Sequence, residues 1–164
     1  MYVAFDVADG GAADAVAAMR LLGVAGLSVT MPHKRAVFDA VDRLEPAARA
    51  LQSVNTVSWD GDELVGSSTD GAGFVASLVE AGVDVAGCRV AVIGAGGAAR
   101  SVIDALGRAG SPDITVLNRT RETAERAATL ASTASVGIAS DVTRADLVVN
   151  ATSVGMGVAP EAAS

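Results

Sequence analysis

The chain has 164 residues, is 51% hydrophobic but only 3% aromatic, and carries a formal charge of −7. Its core must be built from Val, Ala, Leu and Ile, which suits an α/β class with helices packed on a parallel sheet. The acidic balance argues against nucleic acid or an anionic membrane as partner, no apolar stretch reaches the roughly 20 residues of a membrane helix, and the single Cys88 excludes an internal disulfide.

No basic, apolar signal segment opens the chain, so a cytoplasmic location is expected. Charge is uneven: residues 1–88 hold 12 acids and 5 bases, whereas residues 89–164 hold 7 of each. Tyr2 to Val7 reads as a strand, Ala12 to Leu22 has helical spacing, and Gly26 to Thr30 reads as a second strand. Pro32 suits the first position of a following helix. Lys34 then falls in that helix's first turn, where a cation is electrostatically unfavourable and the neutral amine, a base, is favoured. A solvated helix lysine is the plainer alternative.

Glu45 to Gln52 is a short predicted helix. Val54 to Trp59 and Glu63 to Gly66 form a hairpin across Asp60-Gly61. Asn55, at the start of that strand, is either a turn-stabilising amide or a hydrogen-bond donor to a substrate. A helix follows from Gly71 to Glu80, with Asp70 positioned to cap it. Ala81 to Gly87 interrupts the apolar periodicity and divides the chain into residues 1–82 and 83–164.

In the second part, Val90 to Ile93 is an apolar, β-branched run suited to a buried parallel strand, and Gly94-Ala-Gly-Gly-Ala-Ala99 follows it into a helix. Gly94 supplies a tight turn, Gly96 allows backbone to approach a pyrophosphate, and the helix start near Gly97 offers free N–H groups to that anion. Ile114 to Leu117 is a second strand, ending at Asn118-Arg119-Thr120-Arg121. An acid there would accept hydrogen bonds from a ribose 2′-hydroxyl, whereas Arg attracts a 2′-phosphate. No acid occurs between Asp113 and Glu122, so the strand end points to NADP. Ala131 to Ser140 is a small-residue stretch without a clear period. His33 is the lone histidine, with no ligand set at metal spacing, and Cys88 reads as a small packing residue.

Six blocks, Gly26 to Lys34 (Gly-Leu-Ser-Val-Thr-Met-Pro-His-Lys), Ser53-Val-Asn-Thr56, Ser68-Thr-Asp-Gly-Ala-Gly-Phe74, Gly94 to Ala99, Asn118-Arg-Thr120 and Val149-Asn-Ala-Thr-Ser-Val-Gly-Met156, stand in the order and spacing of shikimate dehydrogenases. The chain resembles that family over nearly its whole length. The resemblance implies an α/β substrate domain followed by a Rossmann-like NADP-binding domain, and NADP-dependent interconversion of shikimate and 3-dehydroshikimate in aromatic amino-acid biosynthesis. It puts Lys34 and Asp70 on the catalytic pair and Thr30 and Asn55 on substrate. Gly94, Ala95, Gly96, Gly97 and Ala98 fall on the dinucleotide, as do Asn118, Arg119, Thr120 and Arg121 on the adenosine phosphate side, and Asn150, Thr152 and Ser153 on the nicotinamide side.

Departures from the family pattern accompany it. No Ser occurs before Ser28, where a carboxylate-gripping Ser-x-Ser element is expected, and the chain stops soon after Met156. Ser68 replaces the usual Asn. Thr123 replaces a common basic residue, which would shift phosphate binding to Arg121 or Arg126. Weak turnover by this chain is therefore expected, along with either a partner chain, such as a homodimer mate, or further sequence to cover the sheet edge. The competing expectations are a quinate/shikimate dehydrogenase with relaxed substrate or NAD use, and a non-catalytic ligand-binding module of the same fold.

Overall fold

A computed structural model of the chain describes residues 1–152. Helix α1 (Ala12–Leu22) ends where Gly23, at φ 63°, turns left-handed and returns its N–H to Met19 O. Its buried residues Ala12, Val16 and Met19 recur at i, i+4 and i+7 and pack with Val37, Val54, Val57 and Leu64. Strand β1 (Gly26–Ser28), helix α2 (Lys34–Phe38), strand β2 (Arg43–Leu44), helix α3 (Pro46–Leu51), and strands β3 (Thr56–Asp60) and β4 (Glu63–Ser67) follow. The first sheet has the order β1-β3-β4-β2, with β3 antiparallel to both neighbours and β2 parallel to β4.

Polar contacts fasten this sheet to α1. The Trp59 indole donates to Val24 O at 2.8 Å, and the Arg20 guanidinium lies 5.4 Å from the centre of its rings. Asp42 accepts from the Leu64 N–H at 2.7 Å and from Arg20. The Leu64 N–H, followed by Arg20, holds the Asp42 carboxyl below its ordinary pKa.

Helix α4 (Asp70–Glu80) and a 3₁₀ turn (Val85–Gly87) lead into β5 (Arg89–Ile93), α5 (Gly97–Arg108), β6 (Asp113–Leu117), α6 (Arg121–Ala128), β7 (Ala134–Val136), a second 3₁₀ segment (Ala139–Arg144) and β8 (Leu147–Asn150). These strands form a wholly parallel sheet, β7-β6-β5-β8. Val90 and Val92 of the central β5 pack with Ala99, Ile103 and Leu106 of α5, and Ala91 between them is buried as well, as a strand covered on both faces requires. Asp146 clamps the entry of β8 to that of β5 by accepting from the Arg89 backbone N–H at 3.0 Å and from its guanidinium at 2.9 Å.

Helix α4 follows the first sheet in the chain yet packs Phe74, Val75 and Leu78 against the core of the second. Its contact with α5 is close enough that a methyl group on Gly71 would lie 2.2 Å from Ser101 O. Among the described residues no helix is long and apolar enough to cross a membrane.

Four expectations are corrected. Tyr2 to Val7 is not a strand: no strand among the described residues supplies it hydrogen bonds, and Tyr2, Val3 and Phe5 are exposed. Pro32 does not open α2 but lies in the turn before it, after a cis Met31–Pro32 peptide, and His33 is the N-cap. The hairpin turns at Gly61-Asp62, one residue later than expected, because Asp60 still pairs with Glu63 and Gly61 takes the positive φ of 59°. Asp70 is not a cap; it is the first residue of α4, after Thr69. Within Ala131 to Ser140, the short β7 pairs with β6.

Candidate active site

Four chain segments meet at one end of the first sheet. Val29 donates to Asn55 O at 2.7 Å, Val54 to Lys34 O at 3.0 Å, and Asn55 to Ser67 O at 3.0 Å, so backbone bonds fix the starts of α2, β3 and α4 around one another. Lys34 Nζ donates to Asp70 Oδ2 at 2.8 Å across 36 residues of sequence. Their side chains remain 28% and 47% exposed. An ion pair this open contributes about 0–1 kcal/mol to stability, which makes its geometry, and the access of a small molecule to it, the more informative property.

Asn55, 9% exposed, organises the pair. Its Oδ1 accepts from the Thr69 N–H at 3.0 Å, and its Nδ2 donates to Thr69 Oγ1 at 3.1 Å and to Asp70 Oδ1 at 2.5 Å. A backbone N–H only donates, so the atom facing it is the amide oxygen, and the amide nitrogen therefore faces the carboxylate. Thr56 Oγ1 also donates to Asn55 Oδ1, at 3.0 Å. The carboxylate that was expected to cap a helix is thus held between a lysine and an amide. Thr69 makes no side-chain cap either. Its hydroxyl serves Asn55, a role that residue type and position before a helix do not reveal. Thr30 lies exposed in the turn before α2, its carbonyl accepting from His33 N–H at 3.0 Å.

The second cluster lines the carboxyl ends of the parallel strands. The chain runs β5, β6, β7 outward and returns to β8 on the other side of β5, so the crevice between β5 and β8 is the point where strand order reverses and where such sheets bind ligands. Gly94, at φ 115°, donates to Leu117 O at 2.7 Å, and a methyl group there would lie 3.0 Å from Ala151 O. Gly96, the N-cap of α5, has no side chain to cap the helix, and a Cβ on Gly96 or Gly97 would meet nothing within 4 Å. Ala98 beside them is exposed, while Ala95 and Ala99 are buried. The helix start is therefore open, uncapped and shaped for an anion.

At the end of β6, Asn118 Nδ2 donates to Thr120 O at 3.0 Å, and Thr120 is the N-cap of α6. Arg119 is exposed and makes no hydrogen bond or ion pair among the described residues. Arg121 is held by Glu125 at 2.9 Å, and Arg126 by Glu122 at 2.7 Å. Beyond β8, Asn150 Oδ1 accepts from Thr152 N at 3.1 Å and Thr152 Oγ1 at 2.7 Å. Ser153 and the run to Met156 lie outside the described residues. The two clusters approach through α4 and α5: Gly71 follows Asp70 and contacts Ser101, four residues or roughly 6 Å of helix past Gly97. Among the described residues no group of three His, Cys, Asp or Glu side chains gathers to hold a metal.

Residues 1–57 match the family model of the shikimate dehydrogenase substrate binding domain, and residues 76–159 that of shikimate / quinate 5-dehydrogenase. The shikimate dehydrogenase (NADP(+)) of Moorella thermoacetica is 44% identical over 95% of this chain and 57% of its own length. Shikimate 5-dehydrogenase from Listeria monocytogenes, solved in complex with shikimate and NAD, superposes with a TM-score of 0.87 at 32% identity over 95% of this chain and 59% of that one. The ligand-free 5-ketofructose reductase of Gluconobacter sp. strain CHM43 gives a TM-score of 0.83 at 35% identity with the same coverage. The chain thus spans somewhat under three fifths of the length of the curated relatives it matches.

Proposed function

The chain belongs to the shikimate / quinate 5-dehydrogenase family, and from that premise we propose that it interconverts shikimate and 3-dehydroshikimate with NADP, a step of aromatic amino-acid biosynthesis. The observation that carries this reading is the accessible Lys34–Asp70 pair beside the open start of α5. Residues 1–82 bind the substrate in this reading, and residues 83–164 the cofactor. The uncapped α5 start, the space above Gly96 and Gly97, and the unpaired Arg119 in a strand end without an acid fit a dinucleotide bearing a 2′-phosphate. Gly94 to Ala98 would hold its pyrophosphate, Asn118 to Arg121 its adenosine phosphate, and Asn150, Thr152 and Ser153 its nicotinamide side. The nicotinamide, when bound, takes or supplies the hydride.

The proton is the protein's task. In the oxidative direction Lys34 Nζ, as the free amine, accepts the proton of the substrate hydroxyl; in the reductive direction it returns the proton to the carbonyl oxygen. Asp70 orients Nζ through Oδ2, and Asn55, with Thr69, fixes the rotation of that carboxylate through Oδ1. Thr30, at the mouth of the same cluster, contributes a hydroxyl to the substrate, and Asn55 borders it. The enzyme acts in the cytoplasm in this reading, and the acidic balance supports a small metabolite rather than nucleic acid as its partner; sedimentation distinguishes a lone chain from a homodimer.

Absorbance of the reduced nicotinamide, followed with shikimate against quinate and NADP against NAD, tests the assignment. NADP with shikimate is expected to be the fastest combination, and Lys34→Ala is expected to abolish turnover while cofactor binding survives. Unchanged turnover in Lys34→Ala removes the lysine from proton transfer, faster NAD turnover removes the phosphate-binding reading, and shikimate binding without turnover in the unaltered chain favours a ligand-binding module.

A further inference from the structure

Arginine pairing in the second half of the chain is uneven. Residues 89–164 hold seven arginines and no lysine. Five are spent on carboxylates: Arg89 on Asp146, Arg108 on Asp104, Arg121 on Glu125, Arg126 on Glu122 and Arg144 on Asp141. Arg119 and Arg100 have no ion pair among the described residues. Arg100 is the stronger anomaly, because its Nε is buried with no hydrogen-bond partner. A buried guanidinium N–H without an acceptor is costly, and a cation near a helix N-terminus is opposed by the helix dipole.

Both cations, unpaired among the described residues, stand at the carboxyl end of the sheet. Arg100 is in the first turn of α5, just after β5, and Arg119 directly follows β6, which neighbours β5. Helix periodicity gives Arg100 its direction. It precedes Gly107 by seven residues, two turns, and so shares its face. Gly107 packs so closely on Ala131, just past α6, that a methyl group there would lie 2.5 Å from the alanine Cβ. The Arg100 face of α5 therefore looks toward α6, whose N-terminus follows Arg119 and Thr120.

We propose that Arg100 is the second cation of the adenosine 2′-phosphate subsite, acting with Arg119, whereas Arg121 and Arg126 already lie in exposed pairs with Glu125 and Glu122. This rests on the NADP reading above. A phosphate between the two guanidinium groups would accept from Arg100 once its side chain turns the buried Nε edge outward, and would relieve the opposition of the helix dipole.

Calorimetric titration of the 164-residue chain with NADP+, NAD+, adenosine 2′,5′-bisphosphate and 5′-AMP tests it without turnover. In Arg100→Gln, affinity for NADP+ and the 2′,5′-bisphosphate is expected to fall about tenfold or more, while NAD+ and 5′-AMP change less than about twofold. Arg100→Lys, which keeps the charge but not the fork, is expected to restore part of the loss and serves alone if the glutamine variant does not fold. Equal weakening of all four ligands would make Arg100 a pyrophosphate or packing residue, and no weakening would exclude it from the subsite; either overturns the inference while leaving NADP preference intact. An unaltered chain that binds NADP+ no better than NAD+ overturns the cofactor reading and this inference together.

Discussion

Replacing Gly71 by alanine sets helix propensity against packing, with opposite signs. Propensity favours Ala over Gly inside a helix by about 1 kcal/mol. Against this, the new methyl group would lie 2.2 Å from Ser101 O, 2.9 Å from its carbonyl carbon and 2.8 Å from the Ala105 Cβ, where real contacts of a Cβ essentially never fall below 3.0 Å. None of these atoms is the end of a flexible side chain, so α4 and α5 must part by close to 1 Å. Overpacking of this kind costs about 1–3 kcal/mol, and a rigid backbone partner places it at the upper end. The net loss is about 2 kcal/mol, or a Tm lower by about 4–8 °C in a chain of this size. Gly73→Ala, two residues further along the same helix, meets nothing within 4 Å and is expected to be neutral or stabilising. The shift also carries Asp70 away from Lys34, and displacements of about 1 Å at reacting groups cost on the order of a hundredfold in rate. Thermal melts by circular dichroism, with turnover measured alongside, decide the matter. A Gly71→Ala chain that melts at or above the unaltered one would refute the reasoning that this contact sets the distance between the two clusters.

Asn55→Ala is expected to remove the side-chain acceptor of the part-buried Thr69 N–H and leave Asp70 free to rotate, lowering stability by about 0.5–1.5 kcal/mol and kcat more than cofactor affinity; equal effects on both, in steady-state and binding measurements, contradict the positioning role. Arg119→Glu places an acid where a 2′-phosphate is expected and should turn preference from NADP to NAD, read from the ratio of kcat/KM values. Asp146 is held well below its ordinary carboxyl pKa by the Arg89 guanidinium and then the Arg89 backbone N–H. Folding therefore favours the ionised form: the contribution is complete above the unfolded value near 3.8 and disappears as pH falls through the lower folded value. The gap in urea midpoint between the unaltered chain and Asp146→Asn should be widest above pH 5 and close on acidification, whereas a pH-independent gap argues against the linkage.

The second sheet was readable because each of its signals is local. The β-branched run of β5, the glycines after it and the amphipathic α5 lie within about twenty consecutive residues, and parallel burial leaves a continuous apolar strand. Tyr2 to Val7 carries an equally good strand pattern but fails, since a strand exists only where another supplies its hydrogen bonds. The two-residue β2 is too short to carry any period. At the site, Lys34 and Asp70 each had an ordinary local explanation, a solvated helix lysine and a helix cap. Their contact across 36 residues is a property of the folded chain, and only the resemblance to a family joined them beforehand. Thr69 illustrates the same limit: a threonine before a helix reads as a cap, and its actual bond to Asn55 depends on where β3 ends in space. The unpaired state of Arg100 was likewise invisible, because which glutamates take which arginines is decided on the surfaces of α5 and α6.

The tie between Trp59 and Val24 has an optical consequence. All five aromatic side chains, Tyr2, Phe5, Phe38, Trp59 and Phe74, precede residue 75, and the only indole is anchored in the first sheet. Indole emission therefore reports the melting of one sheet, while the nucleotide-binding strands are silent in the near ultraviolet. Light absorbed or emitted by a dinucleotide bound there would come from the ligand almost alone, so occupancy of one half and unfolding of the other can be followed in a single cuvette at separate wavelengths.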